Sequence, residues 1–156
     1  MVRQTDNYKI VLIFIRYILI ILIGLFNLKL LYTIFKYPTI YGSYFILKLF
    51  SNPVLTGNII TLFGRNFEII NACVIGTAYY LLFILLMSFQ KVKYKTRIYA
   101  ILTSFGLLYL VNITRIIFLI SISSNQYFNQ IHWIFWNIIS TLLVIVIFII
   151  TIKIYK

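Results

Sequence analysis

Three polar side chains in this strongly apolar chain have types that suit joint chemistry: Cys73, Arg115 and His132. Cys73 and His132 are the only cysteine and the only histidine, and Arg115 lies near the end of an apolar run. Each of the three falls near one end of a different apolar segment. If these segments cross a membrane in alternating directions, all three ends lie on the same side of it. A thiol, a guanidinium and an imidazole in one place predict cysteine-based acyl transfer.

Each group has a defined task in such a reaction. A cysteine nucleophile needs a base or a cationic neighbour, and histidine can be either. A fixed arginine can hold a thiolate or the oxyanion of a tetrahedral intermediate. We therefore predict that Cys73 is the nucleophile, His132 the acid and base, and Arg115 the group that stabilises negative charge.

Three further residues are candidates for a supporting role. Asn112 lies one turn before Arg115 and is expected either to orient it or to make a hydrogen bond between helices. Gly76 lies one turn after Cys73, where a small residue lets another helix approach closely. Glu68 is the acid nearest to the site in sequence, and an arginine or water is its expected partner.

Each of the three central residues also has a structural interpretation. A lone cysteine in a membrane helix often serves as a small packing residue. His132 adjoins Trp133 in a segment typical of the aromatic belt at a membrane surface. Arg115 can extend its side chain to the outer surface, although charge inside a span is expensive and favours a functional role. The predicted agreement in depth among the three favours a common site.

Other chemistries lack their sequence signals. The chain contains no paired carboxylates and no HExxH, GxSxG or phosphate-binding glycine loop, which argues against metalloprotease, serine hydrolase and ATPase functions. A single cysteine excludes an internal disulfide and a zinc site of the CxxC kind. We therefore expect neither a metal nor a cofactor.

Composition identifies the class of protein. Of 156 residues, 63% are hydrophobic and 19% aromatic, and the mean hydropathy is +1.03. Since a soluble domain is about half apolar, the surplus is expected to face lipid. The net charge of +12 arises from fourteen Lys and Arg against Asp6 and Glu68. Most of the basic residues flank apolar runs, where topology and anionic headgroups account for them, so we expect no nucleic-acid partner.

The apolar runs predict one all-α integral membrane domain over residues 1–156. Four transmembrane helices are expected, at about residues 10–31, 72–89, 98–120 and 131–152. Residues 32–71 are less apolar and are predicted to form an extracytoplasmic, membrane-associated loop. Within it, residues 39–50 are too short to cross and suggest an interfacial or re-entrant helix. Residues 58–70 look strand-like or irregular.

Charge predicts the orientation. Lys91, Lys93, Lys95 and Arg97 form the densest basic cluster, which the positive-inside rule places in the cytoplasm. Both termini are also basic and are expected inside, which requires an even number of spans. The loop at residues 121–130 carries no charge, as an exported loop should. The protein is thus predicted to be a multi-pass protein of the cell membrane with an extracytoplasmic site.

The ordered set of motifs resembles the exosortase/archaeosortase family over about residues 58–139. The matching positions are Ala72, Cys73 and Gly76 at one helix start, Asn112, Arg115 and Ile116 in the next span, and then His132. The chain is shorter than most bacterial exosortases and looks closer to archaeosortases.

The resemblance implies a membrane-embedded cysteine transpeptidase. Its partners are exported proteins with a C-terminal tail made of a short motif, a transmembrane helix and a basic cluster. The enzyme would cleave that tail and transfer the protein to a lipid or other surface acceptor. Two alternatives remain: a non-catalytic small membrane scaffold or assembly protein, and a member of the same fold that only hydrolyses.

Overall fold

The structure is a computed structural model that describes residues 2–25, 28–89, 93–123 and 127–155, with the side chains of residues 2–10, 129 and 136 left out of the description. The described helices and strands follow in this order: α1 (Val2–Leu25), α2 (Lys29–Phe50), β1 (Val54–Thr56), β2 (Ile59–Leu62), β3 (Arg65–Glu68), α3 (Asn71–Val74), α4 (Gly76–Ser88), α5 (Tyr94–Ser121), α6 (Phe128–Ile134), a π-helix (Phe135–Ile139) and α7 (Ser140–Tyr155). Residues 90–92 of the basic cluster and 124–126 of the uncharged loop lie outside this description.

The chain is mostly helical, and its long helices suit a membrane. Three described segments are long and apolar enough to cross one: Asn71–Ser88, Tyr94–Ser121 and Gln130–Tyr155. A fourth is added when residues 11–25 and the helix Lys29–Phe50, which meet at 72°, count as one broken span. The predicted helical character is thus confirmed, and three to four segments have the length and composition of membrane spans.

The first half of the chain departs from the expected helix boundaries. The helix expected over residues 10–31 ends at Leu25, and Leu28, with φ 57°, turns the chain into α2. The expected short helix at residues 39–50 is the second part of the 22-residue α2, which includes Pro38. Proline removes one backbone donor, but neighbouring helices can satisfy the freed groups. The carbonyl that Pro38 leaves without a helical donor is that of Ile34, four residues earlier. The Tyr109 hydroxyl of α5 donates to the carbonyl of Pro38 itself at 2.8 Å and joins the two helices there.

The helices α1 and α2, which meet at an angle, pack in succession against the rest of the bundle. The Tyr80 hydroxyl in α4 donates to the Ile20 carbonyl in α1 at 3.0 Å. Farther along, Phe35 of α2 stacks on Tyr79 of α4 at 3.9 Å between ring centroids. The end of α2 then packs with the sheet and the end of α5 through buried aliphatic side chains: Ile40, Leu47, Ile60, Leu62, Ile69, Ile116 and Ile120.

A small sheet adds to the helical fold in the segment predicted to be strand-like or irregular. It contains three antiparallel strands in the order β1-β2-β3. Gly57, with φ 64°, turns the chain between β1 and β2, and Phe63 and Gly64 are both left-handed between β2 and β3. Positive φ at both positions of a two-residue turn gives the twist that a tight hairpin requires. The strands that precede Cys73 therefore form a folded unit.

The remaining spans carry local irregularities that the apolar pattern does not signal. Ile75, with φ 50°, separates the four-residue α3 from α4, so the segment at 72–89 is not one continuous helix. Gly76 follows this break and lies against the Tyr32 ring, where an added Cβ would come within 2.7 Å of Cε1. The last span passes from α6 through the π-helix into α7.

Arg97 fixes the opposite end of the bundle. Its side chain is buried, and its guanidinium donates to the Leu86, Met87 and Phe89 carbonyls at 3.1, 2.6 and 2.6 Å. These carbonyls belong to the last turn of α4 and to the residue that ends it. Arg97 thus ties the end of α4 to the start of α5.

Candidate active site

The three residues singled out by their chemistry line one cavity. Cys73 comes from α3, Arg115 from α5 and His132 from α6, and the cavity between them has a volume of about 230 Å³. The other lining residues are Asn66, Phe67, Glu68, Ile69, Ala72, Ile116, Leu119, Ile120 and Phe128. The structure therefore brings together a thiol, a guanidinium and an imidazole that are far apart in sequence.

Cys73 is positioned through its backbone. Its N–H donates to the Ile70 carbonyl at 2.9 Å, and its own carbonyl accepts a 2.9 Å hydrogen bond from Asn112 Nδ2. The thiol is free and half-buried. Asn112 is 1% exposed, so its amide joins α3 to α5 inside the protein. Of the two expectations for Asn112, this contact is the hydrogen bond between helices.

Arg115 is held from the far side of the cavity. Its side chain is 6% exposed, and Nη1 donates to Ser140 Oγ at 3.0 Å. Ser140 Oγ in turn donates to the Phe135 carbonyl at 2.7 Å, across the π-helix. π-Helical turns occur frequently at functional sites because they redirect side chains within a helix. This turn places a hydroxyl beside the guanidinium.

His132 lies at the open side of the cavity. It is exposed and belongs to the seven-residue α6. Its ring lies near that of Phe128, with 5.9 Å between the two ring centroids, and both residues line the cavity. The exposed imidazole therefore lines the same cavity as the thiol.

The two other supporting candidates take different positions. Glu68 lines the cavity, and its Oε1 accepts a 2.9 Å hydrogen bond from Asn58 Nδ2 across the sheet. Among the described residues that line this cavity, Glu68 is the one with a carboxylate side chain. Gly76 lies outside the lining, where the glycine allows the Tyr32 ring to pack against α4. The expected close approach at Gly76 is thus made by an aromatic side chain of α2.

Sequence reasoning missed two parts of the site. Ser140 gave no signal, because a serine in an apolar helix usually bonds its own backbone. Four consecutive residues, 66–69, also form a wall of the cavity, and sequence reasoning named only Glu68 among them. A second cavity of about 310 Å³ adjoins this wall and shares Phe67 and Ile120 with the first. Glu68 and the strand-like pattern before Cys73 were the sequence signals that pointed toward this region.

The donor set does not resemble a metal centre. Among the described residues, no group of three or more His, Cys, Asp and Glu side chains is placed to hold a metal ion. The cavity instead combines one thiol, one imidazole and one buried guanidinium. This combination suits attack on a carbonyl and stabilisation of the oxyanion.

Comparison of the chain with known protein families, curated proteins and solved structures identifies no relative.

Proposed function

We propose that this chain is a membrane-embedded cysteine transpeptidase of the exosortase/archaeosortase type, which removes a C-terminal sorting tail from exported proteins. The observation that carries the proposal is the shared cavity of Cys73, Arg115 and His132. The same three residues carry the sequence resemblance to that family. A scaffold has no need for a buried arginine, a thiol and an imidazole around one space.

The first half of the reaction is acylation of Cys73. His132 takes the thiol proton, and Cys73 Sγ attacks the carbonyl carbon of the scissile peptide bond. Arg115 donates to the oxyanion of the tetrahedral intermediate. The C–N bond then breaks, and the leaving amine of the tail receives the proton from His132. The exported protein remains bound to Cys73 as a thioester.

The second half transfers the protein to an acceptor. An amine or hydroxyl of a lipid or other surface group attacks the thioester carbonyl, and its proton passes to His132. The C–S bond breaks, and the Cys73 thiolate regains a proton from His132. When water takes the place of the acceptor, the same steps give hydrolysis alone.

The proposed location is the cell membrane, with the cavity at the extracytoplasmic face and both termini inside. Charge along α5 supports this orientation. The helix begins beside Lys93 and Lys95 and ends at Ser121, near the cavity. The last helix, α7, returns to the basic end with Lys153. A substrate's own transmembrane tail would present its cleavage motif at the cavity level.

The proposal is tested by the C-termini of exported proteins. Cells lacking the gene are complemented with wild type or Cys73→Ala, and their surface proteins are examined by mass spectrometry of C-terminal peptides. We expect wild-type cells to lose the apolar tails of a defined group of exported proteins and Cys73→Ala cells to keep them. Tails removed equally in both strains would refute the proposal and favour a scaffold. Free carboxyl ends without an attached acceptor would identify a hydrolase.

A further inference from the structure

The strand β3 lies at an edge of the described sheet and beside the Cys73 cavity. The strand order is β1-β2-β3, so β2 covers one side of β3. Residues 66–68 of the strand line the cavity with Cys73 and His132. The adjoining cavity continues to Arg65 at the start of β3 and to Phe63 in the preceding turn. The two cavities together follow the length of β3.

The register determines which backbone groups of β3 face this space. Ile69 N–H donates to the Asn58 carbonyl at 2.9 Å, so these two residues form a hydrogen-bonded pair. Hydrogen-bonded and non-hydrogen-bonded pairs alternate along an antiparallel ladder. The pairs of Phe67 with Ile60 and of Arg65 with Leu62 are therefore hydrogen-bonded as well.

The two intervening residues direct their backbone groups the other way. Asn66 pairs with Thr61 and Glu68 with Ile59 in the non-hydrogen-bonded positions. Their N–H and C=O groups consequently point away from β2. Both residues are exposed, and among the described residues no backbone hydrogen bond covers this edge. Donors and acceptors thus stand two residues apart along the cavity wall.

We propose that this edge of β3 binds the cleavage segment of the substrate as an added strand, held by the backbone groups of Asn66 and Glu68. This inference rests on the proposed function and names how that site recognises its substrate. Strand addition to a free edge draws affinity from main-chain hydrogen bonds. It holds a peptide extended, which exposes each carbonyl to a nucleophile beside the strand.

The place of β3 in the chain would also bring a paired peptide close to Cys73. The strand ends at Glu68, and α3 begins at Asn71 with Cys73 in its only complete turn. A peptide paired with Glu68 therefore lies beside the nucleophile. Across the cavity, Arg115 and His132 face the same space. The cavity beside Arg65 and Phe63 extends the track for neighbouring residues of the peptide.

A pair of substitutions at one residue tests the backbone contact. Asn66→Ala and Asn66→Pro both remove the side chain and its 2.8 Å hydrogen bond with Thr61 Oγ1. Proline in addition removes the outward N–H while leaving the ladder to β2 intact, as edge strands tolerate. We expect removal of tails from exported proteins to be about tenfold slower in Asn66→Pro than in Asn66→Ala, at matched protein level in membranes.

Photocrosslinking gives a second measurement that does not depend on the proline variant folding. Benzoylphenylalanine replaces Asn66, or Thr56 on the opposite edge strand, in a Cys73→Ala background where precursors accumulate. We expect the position-66 probe to capture proteins that keep their tails in Cys73→Ala cells, within a few residues of the cleavage site. The position-56 probe should capture none of them.

The outcomes separate this inference from the function on which it rests. Equal tail removal in Asn66→Pro and Asn66→Ala would overturn the strand-addition proposal, as would equal capture at positions 56 and 66. In either case the loss of processing in Cys73→Ala would leave the peptidase function standing. If Cys73→Ala cells process tails normally, the proposed function fails and the strand proposal fails with it.

Discussion

Arg115 contributes a fixed geometry as well as a charge. Its buried guanidinium is held at 3.0 Å by Ser140 Oγ, with Cys73 on the other side of the cavity. A planar guanidinium can make two directed hydrogen bonds at once, whereas lysine concentrates its charge at one flexible tip. The shape of Arg115 is therefore expected to matter for stabilising the oxyanion.

Replacement of Arg115 by lysine measures that contribution. Loss of one oxyanion contact typically costs about 3–4 kcal/mol, or roughly 10²–10³ in rate. We predict that Arg115→Lys inserts normally and lowers the tail-cleavage rate by about that factor. The rate is compared at matched protein level in membranes. Full activity in Arg115→Lys would show that only the positive charge of Arg115 matters. Full activity in Arg115→Leu would show that Arg115 has no part in the reaction.

If Arg115 stabilises the oxyanion as proposed, Ser140 is expected to position it through their hydrogen bond. Ser140→Ala removes the hydroxyl that holds Nη1 and should lower the cleavage rate about tenfold, since one hydrogen bond to a charged group is lost. Thr141→Ala is the matched control, because Thr141 Oγ1 bonds the Asn137 carbonyl in its own helical segment. A double variant distinguishes positioning from a general packing effect. In an Arg115→Lys background, Ser140→Ala should cost little more, and a full additional loss would contradict the assignment.

At the scale of elements, short hydrogen-bonded joints position the site. The four-residue α3 is held to α5 by Asn112 Nδ2, and the break at Ile75 separates it from the apolar α4. Hydropathy locates a span here, but it does not distinguish one helix from two with a left-handed residue between them. The sequence therefore predicted a helix start at Cys73 and missed the way its backbone is held.

Asn112→Leu tests this joint. Leucine keeps the apolar surroundings filled and leaves the Cys73 carbonyl without its amide donor. We predict normal insertion, with a tail-cleavage rate reduced about tenfold or more, since a buried acceptor loses its partner. The measurement is the cleavage rate together with cysteine labelling at residue 73, which should also change. Unaltered labelling and cleavage would show that α3 is positioned by other contacts.

Arg97 performs the corresponding task at the basic end. Arg97→Ala removes three hydrogen bonds to the carbonyls that end α4. We predict a loss of about 2 kcal/mol in stability, seen as a melting temperature lower by roughly 4–8 °C in detergent. The exposed Lys95→Ala is the control and should melt like wild type. An unchanged melting temperature in Arg97→Ala would indicate that the α4–α5 junction needs no such cap.

At the scale of the molecule, the apolar pattern predicted the helical plan. Long apolar runs require helices, because a membrane leaves no other partner for the backbone. The spacing of Cys73, Arg115 and His132 along those runs predicted their meeting at one end. The pattern predicted only residues 39–50 of α2 as a helix because Pro38 reads as a break, whereas the observed helix continues through Pro38 and is joined there to Tyr109 of α5. Apart from Glu68, it missed the cavity wall formed by residues 66–69, because strand register is not encoded in hydropathy.

Orientation is tested by labelling at the two ends of α5. In a Cys73→Ala background, Ser123→Cys and Lys95→Cys place single thiols at the site end and at the basic end. The charge distribution predicts that an impermeant maleimide labels position 123 in intact cells and position 95 only after lysis. The reverse pattern would put the cavity in the cytoplasm and exclude action on exported proteins.

The most direct test of the central claim is the mass of the protein itself. Wild type is purified from cells under mildly acidic conditions, and its intact mass is measured before and after treatment with neutral hydroxylamine, which cleaves thioesters. The account predicts a fraction of molecules with an adduct at Cys73 that hydroxylamine removes, and no such adduct in Cys73→Ala. Wild-type cells that process tails while their protein carries no hydroxylamine-sensitive adduct at Cys73, even with the acceptor depleted, would contradict it.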